Sequence, residues 1–303
     1  MNAGGNGRIA VVGMFDGLHA GHRFLLEQLQ SEGVDRGLHP LAVTFANHPL
    51  EIIAPGRAPL LLSTPDEKSS LFAETGMEAE IIPFDDSLRL TSASDFLHML
   101  AKRYNVQAMM LGFNNRFGHD APRDFDTYRR LALSHGIELL QAPELTIGDR
   151  HISSSAIRVL LACEGDAGTA ATMLTRPYSL TGIVAGGRQI GRTIGFPTAN
   201  ISLGDARKLI PKTGVYAAVA TCRNGMAYPS VVNIGHRPTV EKSAAAPLSV
   251  EAHLIGFDGD LYGQQLVLGF IARIRPEQRF PDLEALRCQI EDDVNTAVGL
   301  CLT

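Results

Sequence analysis

Cysteine is scarce, basic charge is not in excess, and no apolar run is long. The four cysteines, Cys163, Cys222, Cys288 and Cys301, lie far apart and form no Cys-x-x-Cys pair. That spacing argues against a zinc ribbon or a disulfide framework; it reads as a chain of a reducing, cytoplasmic compartment whose thiols belong to the core rather than to catalysis. No apolar stretch approaches the ~18 residues of a spanning helix. Residues 1–7 lack the apolar centre of a signal peptide. A net charge of −5 over 303 residues gives no electrostatic footprint for nucleic acid or a membrane surface. A Walker loop is excluded, because Gly-Lys-Ser/Thr does not occur. What is present is 45% hydrophobic and 19% charged, ample material for globular cores, and the length predicts two domains.

Up to about residue 160, strand and helix patterns alternate, which predicts a parallel sheet flanked by helices. Strands are expected at 9–12, 41–45, 80–83, 108–111 and 137–140, and helices at 20–32, 65–74, 93–104 and 123–135. Thr64-Pro65-Asp66-Glu67 is a capping box with proline at the first helical position. The stretch 47–63 shows no periodicity and reads as a long functional loop. Helices are expected again at 152–163 and 167–174. Near Arg176-Pro177 the pattern changes to short strands at 179–184, 214–221, 230–233, 249–254 and 265–274, which predicts a β-barrel, closed by an amphipathic helix at 282–298. The fold class is thus α/β, with domains at 1–175 and 176–303.

The densest motif follows the first strand: Gly13-Met14-Phe15-Asp16-Gly17-Leu18-His19-Ala20-Gly21-His22. Parallel sheets bind ligands outside the carboxyl ends of their strands. The next helix directs its N-terminal N–H groups and positive dipole end at that place. Two imidazoles three residues apart there suit a nucleoside triphosphate. Asp16 serves either to cap the turn or to bind a metal or ligand. Ser153, Ser154 and Ser155 open a later helix, as caps or as phosphate donors.

These residues resemble the bifunctional riboflavin kinase/FMN adenylyltransferase family, the bacterial FAD synthetases. The N-terminal half carries the likeness in Gly13 to His22, Thr44-Phe45-x-x-His48-Pro49, Gly112-Phe113-Asn114-Asn115-Arg116-Phe117-Gly118 and Ile152-Ser153-Ser154-Ser155-x-Ile157-Arg158. The C-terminal half carries it in Gly182-x-Val184-x-x-Gly187 and Gly191-Arg192-x-x-Gly195-Phe196-Pro197-Thr198-Ala199-Asn200. Asn233-Ile234-Gly235-x-Arg237-Pro238-Thr239, Val250-Glu251-x-His253-Leu254 and Asp258-Gly259-Asp260-Leu261-Tyr262-Gly263 follow in order. The Gly-Phe-Pro-Thr-Ala-Asn run with a downstream Glu-x-His is the more specific signal.

The resemblance implies a Rossmann-like nucleotidyltransferase domain followed by a riboflavin-kinase barrel. It implies ATP-dependent phosphorylation of riboflavin to FMN, then transfer of AMP from ATP to FMN, giving FAD and pyrophosphate. His19, His22 and Arg158 would stabilise the phosphate chain. Gly13, Phe15, Asp16, His48, Asn114, Ser154 and Ser155 would complete that site. Glu251 would be the kinase base. Thr198 and Asn200 would share Mg²⁺ and phosphate contacts. Gly187, Gly191, Arg192, Gly195 and Pro197 would form the nucleotide loop. The Asp258-Gly259-Asp260 run reads as a hairpin turn without chemistry, and Arg275 and Phe280 as candidate lining of the flavin pocket. Asn114 and Asn115 depart from the acidic or aromatic residues that many members carry there. That departure leaves one alternative, a kinase with an impaired adenylyl site; a flavin-binding or regulatory protein without turnover is a second, which the presence of Glu251, Thr198, Asn200 and both motif histidines argues against. The expected partners are riboflavin, FMN, FAD and ATP, with neither nucleic acid nor membrane.

Overall fold

The computed structural model describes residues 7–112, 116–142, 152–186, 191, 194–236 and 248–302. The chain divides into two compact units, Met1–Ser154 and Ser155–Thr303.

The first unit is built on a parallel sheet of β1 (Arg8–Val12), β2 (His39–Phe45), β3 (Glu78–Ile82), β4 (Val106–Leu111) and β5 (Glu138–Gln141), ordered β3-β2-β1-β4-β5. The chain steps outward from β1 through β2 to β3, then returns to the other side of β1 with β4. The gap between those two directions is the topological switch point. Ile9, Ala10 and Val11 are fully buried, as a strand covered on both faces must be. Between the strands run α1 (Ala20–Arg36), α2 (Leu50–Ile53), α3 (Pro65–Glu74), α4 (Asp86–Arg89), α5 (Ala93–Tyr104) and α6 (Phe125–Ser134). Val12, Leu41, Val43, Phe96, Leu97 and Leu100 fill one face of the sheet; Ile9, Val11, Leu26, Leu29, Leu71 and Phe72 fill the other.

Local chemistry sets the helix ends. The Thr64 hydroxyl accepts from Glu67 N while the Glu67 carboxylate accepts from Thr64 N, the predicted capping box. Within 47–63 the structure corrects the loop expectation with α2 and a 3₁₀ turn, Pro55–Arg57. Four residues are too few to show a helical period. What makes α2 is a reciprocal pair: His48 Nδ1 accepts from Leu50 N at 3.1 Å, and the Glu51 carboxylate accepts from His48 N at 2.9 Å.

The second unit opens with α7 (Ser154–Val159, its first residue assigned to the first unit), a π-helical turn (Leu160–Glu164) and α8 (Ala167–Leu174). A closed antiparallel barrel follows: β6 (Tyr178–Ala185), β7 (Ala199–Leu203), β8 (Gly214–Cys222), β9 (Ala227–His236), β10 (Leu248–Leu254) and β11 (Gln265–Arg275), in the order β10-β7-β6-β11-β8-β9. Sequence patterning gave five of these strands and omitted β7, whose five residues acquire strand character by pairing with β6 and β10. Helix α9 (Leu283–Cys301) packs on β8, β9 and β11. The Arg275 guanidinium grips Asp293 of α9 through Nε (2.9 Å) and a second nitrogen (2.7 Å). Asp293 is 2% exposed, and removing one partner of so buried a pair costs about 3–5 kcal/mol. The cysteine expectation is corrected in part: only Cys222 is buried, while Cys163 and Cys288 are exposed.

Barrel closure leaves no room at Gly182. A Cβ there would lie 2.5 Å from Ile201 Cγ2 and 2.6 Å from the Ser202 carbonyl oxygen. Gly182→Ala is expected to destabilise the second unit by about 1–3 kcal/mol through overpacking. In calorimetry the transition of that unit should fall while that of the first stays in place; two unmoved transitions would refute the close approach.

Candidate active sites

In the first unit, the turn between β1 and α1 is strained and held from several sides. Phe15 (φ +46°) and Leu18 (φ +40°) occupy the left-handed region although neither is glycine. Such residues cost about 1–3 kcal/mol each and persist only where the surroundings over-determine them. Those surroundings come largely from α3 and the segment leading into it. The Met14 carbonyl accepts from Lys68 Nζ at 2.8 Å. The Phe15 ring meets Phe72 edge-on at 5.6 Å. The Asp16 carboxylate, 1% exposed, accepts from Leu62 N, Ser63 N and Ser63 Oγ at 3.0, 2.9 and 3.2 Å. Of the two roles open to Asp16, this geometry engages the carboxylate as an anchor of the turn.

This frame sets the histidines. His19 is the N-cap of α1, its Nδ1 accepting from His22 N at 3.3 Å, which assigns its ring proton to Nε2. The two imidazoles stack with centroids 3.6 Å apart. Among the described residues, His22 Nδ1 is buried without a hydrogen-bond partner. Burial, then the neighbouring His19 and Lys68, hold His22 well below the ordinary imidazole range, so it is neutral at physiological pH. Ser154 Oγ donates to the Asp16 carbonyl at 2.9 Å, which brings Ser154 to the turn. Ser155 is exposed and Arg158 half-buried on α7.

Beside the turn lies a cavity of about 680 Å³, lined by Gly13, Met14, Phe45, Pro49, Ile53, Phe84 and Phe117, with Arg89, Arg116 and His119 among the polar groups. Gly13 is placed so that a Cβ would press on the Phe15 ring at 3.1 Å. His48 sits next to the cavity-lining Pro49, its Nδ1 accepting from Leu50 N. Asn114 lies outside the described residues.

In the second unit, strand alternation separates core from chemistry. Val250, Ala252 and Leu254 are buried, while Glu251 and His253 between them are only half-buried. Glu251 pairs directly with Asn200 of β7 and with Asn233 of β9. Directly opposed residues share a face, so one carboxylate stands between two amides. A cavity of about 310 Å³ opens there, lined by Glu251, Asn233, His253, Arg275, Phe280 and residues of α9. A second, of about 550 Å³, is lined by Pro197, Thr198, Ala199 and the run Asp258 to Tyr262. The Asp-Gly-Asp run, expected to be a turn alone, is therefore also a cavity wall. Thr198 lines both cavities.

The backbone before β7 is fixed tightly. Phe196 N donates to the Gly191 carbonyl at 2.8 Å, and a Cβ on Gly191 would lie 2.2 Å from the Phe196 oxygen. Gly195 takes φ +90°. His253 Nδ1 bonds the Pro197 carbonyl at 2.8 Å. Gly187 and Arg192 lie outside the described residues.

For a metal, the described residues contain no group of three or more His, Cys, Asp or Glu. Mg²⁺ is ordinarily held by one or two protein oxygens plus substrate phosphates. Thr198, which lines both cavities, and Asn200, paired with Glu251, carry the neutral oxygen donors that suit that kind of site.

Sequence reasoning missed Lys68, Asn233, His253 and Asp293. Asn233 and His253 stood inside recognised motifs. Lys68 shares a helical face with Leu71 and Phe72, and Asp293 with Ile290 and Ala297. A charge in the apolar phase of an amphipathic helix was the available signal.

The comparisons agree with this division of labour. An FAD synthetase family model matches residues 3–156 and a riboflavin kinase model residues 174–300. The bifunctional riboflavin kinase/FMN adenylyltransferase of Escherichia coli strain K12 is 36% identical, covering 96% of this chain and 92% of the relative. Those of Pseudomonas fluorescens (35%; 97% and 93%) and Bacillus subtilis strain 168 (32%; 96% and 91%) are similar over comparable spans. A solved structure described as a macrolide-efflux protein from Streptococcus pneumoniae shares the fold, with TM-score 0.85, 24% identity and coverage of 97% of this chain and 95% of that one. Two matched families in order, and relatives aligned almost end to end, place the chain in the bifunctional riboflavin kinase/FMN adenylyltransferase family.

Proposed function

We propose that this chain makes FAD in two steps, phosphorylating riboflavin to FMN in the second unit and joining AMP from ATP to FMN in the first. The observation that carries the reading is the position of Glu251: a half-buried carboxylate between Asn200 and Asn233, on the wall of a cavity that the barrel and α9 enclose.

In the kinase step the terminal ribityl hydroxyl attacks the γ-phosphorus of ATP, ADP leaves, and Glu251 takes the hydroxyl proton as the bond forms. Phe280 and Arg275, whose guanidinium lies 5.7 Å from the Phe280 ring, offer a flat surface to the flavin. Gly191, Gly195, Pro197 and Thr198 are assigned to nucleotide binding, as are Gly187 and Arg192 by their place in the sequence motif. Thr198 and Asn200 are the residues that would hold Mg²⁺, which when bound offsets phosphate charge.

In the adenylyl step a phosphate oxygen of FMN attacks the α-phosphorus of ATP and pyrophosphate leaves. The nucleophile is already ionised, so positioning and charge stabilisation supply the catalysis. His19 stands as the N-cap of α1, at the helix end where the dipole favours an anion, and is assigned to the phosphate chain. His22, Ser155 and Arg158 are assigned to the phosphate chain, and Ser154 to holding the turn. The 680 Å³ cavity, with Phe45, Phe84 and Phe117 on its walls and Arg89 and Arg116 beside them, suits an isoalloxazine ring and its phosphate. His48 would support that wall, and Asn114 the adenosine. The division of function is assigned near residue 176, and the setting to the cytoplasm. Among the described residues no helix is long and apolar enough to cross a membrane.

Two experiments test this. Incubation with riboflavin, ATP and Mg²⁺ should yield FMN first and FAD after it; FMN without FAD would restrict the chain to a kinase, and no product even from added FMN would reduce it to a flavin binder. Glu251→Gln should lower riboflavin phosphorylation by roughly 10²–10⁴-fold while leaving conversion of supplied FMN to FAD intact. A normal kinase rate in that variant would remove Glu251 from the mechanism.

A further inference from the structure

Lys68 is a buried cation that neither reaction uses. It lies on α3, is 2% exposed, and directs its ammonium away from solvent. Nζ donates to the Met14 carbonyl (2.8 Å), the Phe45 carbonyl (2.7 Å) and, at longer range, Thr44 Oγ1 (3.4 Å). Thr44 Oγ1 donates in turn to the same Met14 carbonyl at 2.9 Å. The acceptors are neutral. One carbonyl belongs to the turn that leads into His19 and His22; the other two groups belong to the end of β2, which leads into His48.

A neutral side chain would link those carbonyls at less cost, since burying an ammonium is expensive unless it is well satisfied. The charge is therefore the informative part. It sits beneath a turn in which Phe15 and Leu18 hold unfavourable backbone angles. Met14, immediately before Phe15, is the residue it grips, and Asp16, immediately after, is gripped by the segment that leads into the same helix. The turn is thus clamped on both sides of its strained residue, and it delivers the stacked imidazoles.

We propose that Lys68 is a positioning residue for adenylyl transfer, its ammonium tying the β1–α1 turn to the end of β2 so that His19 and His22 are held in register for the phosphate chain. This rests on the two-site reading given above. The same charge acts on His22 through space. The titratable groups facing His22 are His19 from the turn and Lys68 from α3, and both hold its proton affinity down; Asp16 faces Lys68. Burial brings Lys68 itself to about 8, an effect that Asp16 opposes, so the ammonium is predominantly charged at neutral pH.

The test compares the full-length protein with Lys68→Met, which keeps the length of the side chain and removes the charge. FMN adenylylation should lose at least about 10-fold in kcat, because displacements of the order of 1 Å at reacting groups cost about that much or more. Riboflavin phosphorylation by the same preparation should be unchanged. The His22 imidazole, followed by NMR, should titrate at higher pH than in the parent protein, a shift that loss of packing alone does not require. An adenylylation kcat within two-fold of the parent overturns the proposal. So does a loss of activity with no change in the His22 titration. If Lys68→Met does not fold, Thr44→Val carries the test: it removes one acceptor of the ammonium and one donor to Met14. A fall of at least about five-fold in adenylylation supports the proposal, and a rate within two-fold of the parent overturns it. Absence of adenylylation in the parent protein would instead overturn the two-site reading.

Discussion

One turn of backbone, Met14-Phe15-Asp16, bears the adenylyl site, and it is held in a conformation that two of its neighbourhood's bulky residues would not choose. Three separate interactions resist relaxation: an ammonium on the Met14 carbonyl, an aromatic edge on Phe15, and main-chain amides on the Asp16 carboxylate. All three come from α3 or the few residues before it. That helix is fixed by its own capping box and by Leu71 and Phe72 in the core. The placement of His19 and His22 is therefore inherited from helix packing some fifty positions further along the chain. A rigid element supporting a strained loop is how a binding geometry is kept without a ligand present.

The second unit solves the same problem by alternation. In a closed barrel every other residue of a strand is committed to the interior, and the remainder face outward. Strand β10 uses both sets. Val250 and Ala252 stabilise the barrel, and Glu251 between them faces the groove under α9. Pairing on both sides then fixes what stands next to Glu251, namely Asn200 and Asn233. A one-residue slip of β10 would send the carboxylate into the core, so barrel stability and the location of the base are governed by the same register.

Much of this was legible in the sequence because it is local. The strand–helix alternation, the Thr64 capping box, the helix over 93–104 and the barrel strands all reflect short-range patterns, and the structure reproduces them. The motif histidines were legible from their place between the first strand and the first helix, and their stacking was not, since ring geometry depends on how α1 starts. What escaped was set by distant partners. The strand β7 is five residues defined by its neighbours, and α2 is one turn made by His48 and Glu51. Lys68 falls in the apolar phase of its helix with Leu71 and Phe72, a signal masked by the polar run Asp66-Glu67-Lys68-Ser69. Only the fold shows that its targets are carbonyls at 14 and 45. Asp293 is hidden in the same way until Arg275 is brought beside it.

Each unit has its own hydrophobic interior, with Val12, Phe96 and Leu97 in one and Val215, Ala217 and Ala297 in the other. Cores that melt separately need not melt together. If the two cores lose order at different temperatures, warming removes one conversion before the other, and the ratio of mononucleotide to dinucleotide flavin then shifts with temperature.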